Sequence, residues 1–178
     1  MSDKTTELII YIADQTKDVP QFGATHLNKT LYYVDLMTYM AKGKKLTDLD
    51  YVRQENGPTP ETTRFLSLLQ ILKDTNAIEE VRIPYFNYKL KRLNARRHAN
   101  IDVFEKDEIV LIDGVIKKMS VLTARELSDL THNLLAWQLS HNMEPLPDHT
   151  FLLTSKEPEP HHIKWGMKVA MDFLNSKQ

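Results

Sequence analysis

A chain of 178 residues is about one domain's worth, long enough to bury roughly 70% of its unfolded surface without a covalent staple. It has no cysteine, which excludes a disulfide framework, thiol catalysis and cysteine-ligated zinc, and its net charge of −1 gives no global field toward nucleic acid or an anionic membrane. The apolar run Leu8 to Ala13 is too short for a signal-peptide core or a bilayer span, so the expected location is the cytoplasm.

The spacing predicts a first helix over about Lys4 to Lys17, with Leu8, Ile9 and Ile12 inward, broken by Val19-Pro20-Gln21-Phe22-Gly23. A second helix is expected from Ala24 to Lys42, stopped by Gly43, with Leu27, Leu31, Val34, Thr38 and Ala41 as its core stripe. In Asn56-Gly57-Pro58-Thr59-Pro60, Thr59 reads as a cap and Pro60 as the first turn of a third helix, with Glu61 favourable at its positive end. That helix carries Phe65, Leu66, Leu68, Leu69, Ile71 and Leu72 around more than half its circumference, the mark of a central element.

From Val81 to Tyr88 the residues alternate, aromatics are frequent, and Pro84 argues for an edge strand, with Lys89 to Arg97 as hairpin partner. Residues 104–119 read two ways. Asp113-Gly114 between apolar runs suits a hairpin turn, while Ile109, Ile112, Ile116 and Met119 suit a helix that tolerates a glycine. Thr123 and Glu126 have capping-box spacing, ahead of one helical stripe Leu127, Leu130, Leu134 and Trp137 that ends at Asn142 to Pro147. A last helix over about 160–175 is expected to turn Ile163, Met167, Ala170 and Leu174 inward. The whole chain, 1–178, thus reads as a single mostly α domain: a compact bundle of five to six helices with a small β-hairpin inserted around residues 81–97.

Three segments occur in a telling order: Leu27 to Asp35 (LNKTLYYVD), Asn56 to Pro60 (NGPTP), and Glu126 to His132 (ELSDLTH) with Trp137 five residues later. Together they resemble the Panacea domain, the SocA-like antitoxin family also labelled phage-associated, over about residues 5–145. The resemblance implies a mostly helical fold with a small hairpin and tips 104–119 toward helix. It also implies a protein that neutralises a cognate toxin by direct contact, one branch acting as an adaptor that delivers its toxin to a protease. Thr30 stands where the family more often has an aliphatic residue, and Thr59 where it often has valine. The tail beyond Pro147 matches little of the family and is where partner choice would differ.

Asn28, Tyr32, Asp35 and Tyr39 form a polar-aromatic stripe on the second helix. It reads first as an inter-helix seam, its tyrosine hydroxyls bonded to Asn28 or Asp35, and otherwise as a partner contact. The motif residues Lys29, Gly57, Pro58, Ser128, His132 and Trp137 read as structural: the Gly57-Pro58 pair as a tight turn, His132 as donor to a carbonyl or to a carboxylate such as Asp35, Trp137 as core. An enzyme centred on His132 and Asp35 ranks last, for no nucleophile, phosphate loop or metal set accompanies them. His161-His162, His149 and His141 lack chelating spacing, so no metal and no cofactor is expected.

The rival signal is basic. Arg82, Lys89, Lys91, Arg92, Arg96 and Arg97 share a stretch free of acids with Tyr85, Phe86 and Tyr88, a composition that can hold single strands or phosphates. Asp102, Glu105, Asp107 and Glu108 follow and are expected to neutralise it. The expectation is therefore a toxin-binding module, not an enzyme, contacting its partner through the Asn28 stripe, Arg92, Arg96, Arg97 and the tail. The alternative is a nucleic-acid-binding regulator using the basic hairpin 82–97.

Overall fold

The computed structural model describes residues 3–154, 156 and 159–175. Among them seven α-helices alternate with two small antiparallel sheets: α1 (Asp3–Gln15), α2 (Ala24–Lys42), β1 (Tyr51–Gln54), β2 (Gly57–Pro60), α3 (Thr62–Asp74), β3 (Ile78–Tyr85), β4 (Tyr88–Ala95), α4 (Lys106–Ser120), α5 (Ala124–His132), α6 (Leu135–Leu139), β5 (Pro145–Leu146) and α7 (Pro160–Asn175). Short 3-10 turns cover Ile101–Val103 and Asp148–Leu152. The chain is mostly α, as its periodicity indicates.

Helix α2 is the axis of the fold, and α4, α5, β2 and β4 all pack on it. Its C-terminus is closed by Gly43 at φ 71, whose N–H donates to the Tyr39 carbonyl, as the glycine stop predicts. Leu27, Leu31, Val34 and Thr38 are buried along it, whereas Ala41, expected inward, is exposed because the stripe ends one turn before the cap. Core side chains from α1, α3 and α4 complete the interior, with Ile9, Ile12, Leu72 and Ile112 almost fully enclosed.

The hairpin β3–β4 forms as expected, in register from Ile78↔Ala95 to Tyr85↔Tyr88, and Phe86 in its turn takes φ 48. Residues 104–119 resolve as helix α4, with Gly114 inside it and open space where a Cβ would stand. The Thr123–Glu126 capping box is present.

Four expectations are corrected. Thr59 and Pro60 do not open α3. They belong to β2, the edge strand of the sheet β2-β1-β5, and the Glu61 carboxylate caps α3 by accepting from the Thr63 and Arg64 N–H groups. Two prolines are tolerated there because an edge strand has N–H positions that no neighbour requires. Leu66 and Ile71 of α3 are exposed, so its apolar band is narrower than its sequence implies. The single stripe Leu127 to Trp137 is broken at Leu134, whose ψ of 127° is extended, giving α5 and α6 in place of one long helix. On α7, Ile163, Met167 and Leu174 are exposed, not inward, and the Ala170 side chain lies outside the described residues.

Candidate functional site

The predicted stripe on α2 divides between interior and surface. Asp35 is fully buried, and its carboxylate accepts from the Leu46 and Thr47 N–H groups at 3.0 and 2.8 Å, from the Tyr51 hydroxyl at 2.7 Å and from the Thr47 hydroxyl. These bonds fold the loop after α2 back onto the helix. Burial pushes the carboxyl above its ordinary range, against the pull of the Thr47 and Tyr51 bonds. Tyr32 is equally buried, edge-on to Tyr51 and Phe151 at 5.1 and 5.3 Å, and half-buried Tyr39 closes the far side of Phe151 at 5.6 Å. The hydroxyl bonded to Asp35 is therefore that of Tyr51, not of Tyr32 or Tyr39. Phe151 belongs to this cluster, so the segment beyond Pro147 contributes to the core as far as the 3-10 turn that ends at Leu152.

One turn earlier, Lys29 is 1% exposed and donates to the Pro58 carbonyl at 2.8 Å. Burial alone drives its pKa down to about 7. Gly57 passes directly over it at φ 104, and a Cβ there would stand 2.1 Å from Thr131 Oγ1 and 2.8 Å from Lys29 Nζ. On the other side of the β1–β2 hairpin, His132 Nε2 meets the Glu55 carbonyl at 2.9 Å and Trp137 Nε1 donates to the Gln54 carbonyl at 2.8 Å. The two rings stack at 4.0 Å, and the Arg53 guanidinium lies 4.4 Å from the indole centroid. Trp137 is thus a half-buried clamp rather than core, and His132 bonds a backbone carbonyl, that of Glu55, the first of the two acceptors expected for it, and not Asp35. Ser128 turns inward and donates to the Ala124 carbonyl of its own helix. All three sequence segments converge on one hairpin, which sequence reasoning missed. The Asn56-Gly57 dipeptide was the available signal for it.

The basic hairpin is largely consumed within the molecule. Arg92 donates to the Thr16 and Val19 carbonyls, closing the C-terminal end of α1. Arg96 pairs with Glu79, and Arg97 grips Glu7 through two bonds of 2.6 and 2.8 Å. That fork and the Asn100 N–H hold the Glu7 carboxyl below its usual range. The acids expected to neutralise the hairpin work elsewhere: Glu105 and Asp107 bind Lys42, and Glu108 binds Lys4. Sequence proximity was a poor guide because β4 lies against α1, not against the start of α4.

Asn28 and Arg92, from opposite ends of the predicted site, both line one partly open cavity of about 250 Å³ between α1, α2, α3 and β4, with Gln54, Thr59 and Glu80 also on its wall. Its walls are mainly apolar, with Ile12, Leu27, Phe65, Leu69 and Leu93 among them. Among the described residues, no group of three or more histidine, aspartate or glutamate side chains gathers in a way that could hold a metal ion.

The model of the antitoxin SocA-like, Panacea domain family matches residues 27–138, more than half of the chain. The chain belongs to that family. No curated protein and no solved structure matches it. The Panacea match begins at Leu27, at the head of the LNK segment, and ends one residue after Trp137, so it brackets the three segments that clamp the β1–β2 hairpin. Helix α7 lies wholly outside the Panacea match, and among the described residues no helix is long and apolar enough to cross a membrane.

Proposed function

We propose that this chain is an antitoxin that binds a cognate toxin protein directly and holds it inactive, with no chemistry of its own. The observation that carries this reading is the family match across residues 27–138. The Panacea core would serve as a rigid frame, since its motif side chains are spent on holding α2, the β1–β2 hairpin and α5–α6 together.

The contact surface is proposed on α7. Ile163, Met167, Met171 and Leu174 recur at helical spacing on one face of this helix and are all exposed. An amphipathic helix with an uncovered apolar stripe suits docking into a partner's groove, and methionines adapt to irregular surfaces. Its place outside the matched residues fits a segment that differs with the partner. Delivery of the toxin to a protease is compatible with the same surface but has no separate support.

Co-expression with the product of the neighbouring gene tests the reading: the expected result is rescue of growth and a complex that co-purifies. A toxic neighbour that is neither bound nor rescued would overturn it. The nucleic-acid alternative is weakened by the internal ties of Arg92, Arg96 and Arg97, which leave Arg82 and Lys89 as its basic groups with neither an ion pair nor a side-chain hydrogen bond among the described residues. It predicts binding that falls steeply with salt, and salt-insensitive or absent binding removes it.

A further inference from the structure

The cavity between α1, α2, α3 and β4 has chemistry that the antitoxin reading does not use. Its body is apolar, from Ile12, Leu27, Phe65, Leu69 and Leu93. Two polar groups on its lining are incompletely satisfied. Half-buried Arg92 spends one guanidinium nitrogen on the Thr16 and Val19 carbonyls, and no carboxylate lies within ion-pair distance of it among the described residues. Asp18 acts on it only through space, and burial lowers its pKa, the mark of a guanidinium short of counter-charge. Half-buried Asn28 has no hydrogen-bond partner for its side-chain amide among the described residues. Lys91 adds a second positive charge to the lining. The one carboxylate there, Glu80, is already shared between Lys91 and Lys73 at 3.9 Å each. The lining therefore carries a net positive charge beside a mainly apolar interior.

We infer that this cavity binds a small monocarboxylic acid, its apolar body among Leu27, Phe65, Leu69 and Leu93 and its carboxylate received by Arg92 and Asn28. A guanidinium with free N–H groups and an amide donor are a fitting pair for a carboxylate, and Arg offers it two parallel bonds. The volume of about 250 Å³ lies below the roughly 300–1,000 Å³ of drug-sized sites, which restricts the ligand to a short aliphatic chain or a single ring. This site is independent of the α7 surface, so its failure would leave the antitoxin reading untouched.

The test uses the full chain and three probes of equal length, octanoate, octan-1-ol and octylamine, titrated below their aggregation limits and followed by backbone amide NMR shifts. Octanoate is expected to saturate with shifts confined to the cavity walls. The alcohol is expected to bind about tenfold more weakly, the equivalent of one charge-assisted hydrogen bond, and the amine more weakly still. Arg92→Gln also cuts the tie to α1, so the deciding variant is Asn28→Asp, which adds a like charge without removing a structural contact. It is expected to lower octanoate affinity by about tenfold and to raise that of octylamine. Equal binding of the three probes, absence of cavity-wall shifts, or octanoate affinity unchanged in Asn28→Asp would each overturn the assignment.

Discussion

Helix α2 buries two charged side chains six residues apart, and they are satisfied in opposite ways. Asp35 receives four donors from the loop behind it and from Tyr51. Lys29 makes one hydrogen bond among the described residues, to the Pro58 carbonyl. The carboxylate works as a nail that fixes a loop, replacing backbone partners the loop would otherwise lack. The ammonium is a spacer: it fills the gap beneath Gly57 at a cost in desolvation, and the same burial pushes its pKa down to about 7. Burial alone therefore says little about what a charge contributes. The partners decide.

The largest expected effect comes from removing the nail. Asp35→Ala strands two backbone N–H groups and the Tyr51 hydroxyl in the interior, and denaturant unfolding should show a loss of roughly 3–5 kcal/mol. Next is Gly57→Ala. It places a methyl group into Thr131 and Lys29 at a φ that alanine rarely adopts, for a loss of about 2–4 kcal/mol by the same measurement.

Lys29 itself is best read through pH. Its folded pKa of about 7 lies below the ordinary 10.5, so between those values the unfolded chain binds more protons than the folded one. Stability must then rise with pH across that window, by up to about 1.4 kcal/mol per pH unit, and the burial penalty is felt in full below it. In Lys29→Met this component disappears, and a slope identical to that of the native chain would contradict the assignment. Asp35 contributes with the opposite sign at the acid end. Its raised pKa means that the stability it adds is fully present below the unfolded value of 3.8 and is lost as pH rises through the folded one.

The smallest effect is a gain. Thr30, fully buried, has a hydroxyl with no hydrogen-bond partner among the described residues, so Thr30→Val should stabilise by about 1 kcal/mol, read as a shift in the denaturation midpoint.

Much of this framework was legible in the sequence because local rules governed it. Gly43 ends α2, Thr123 and Glu126 cap α5, and alternation from Val81 signals the hairpin β3–β4, although its first strand starts at Ile78 and its turn falls before Tyr88. What escaped was tertiary. Pro58 and Pro60 argue against a strand unless that strand is known to be an edge, and only the sheet order β2-β1-β5 supplies that knowledge. The break at Leu134 is invisible to a stripe that continues in phase across it, yet it is what brings His132 and Trp137 together. The internal ties of Arg92 and Arg97 were hidden because their partners, the carbonyls at the end of α1 and Glu7, lie some 70 to 90 residues away in the chain. Asn28 and Arg92, both named from the sequence as candidate partner contacts, line one cavity in the fold, and nothing in the sequence signalled that they would meet.

The contrast between Panacea motif side chains tied up in internal contacts and the exposed stripe of helix α7 is most directly tested by measuring the affinity of the co-purified toxin for two variants side by side. Met167→Glu/Met171→Glu alters exposed positions only, while Trp137→Phe removes the indole bond to Gln54. The expected result is a stability loss of about 1 kcal/mol with unchanged affinity for Trp137→Phe, and unchanged stability with affinity reduced at least about tenfold for the α7 pair. Full affinity in the α7 variant, with the loss appearing instead in Trp137→Phe, would place the toxin on the motif face and contradict the account.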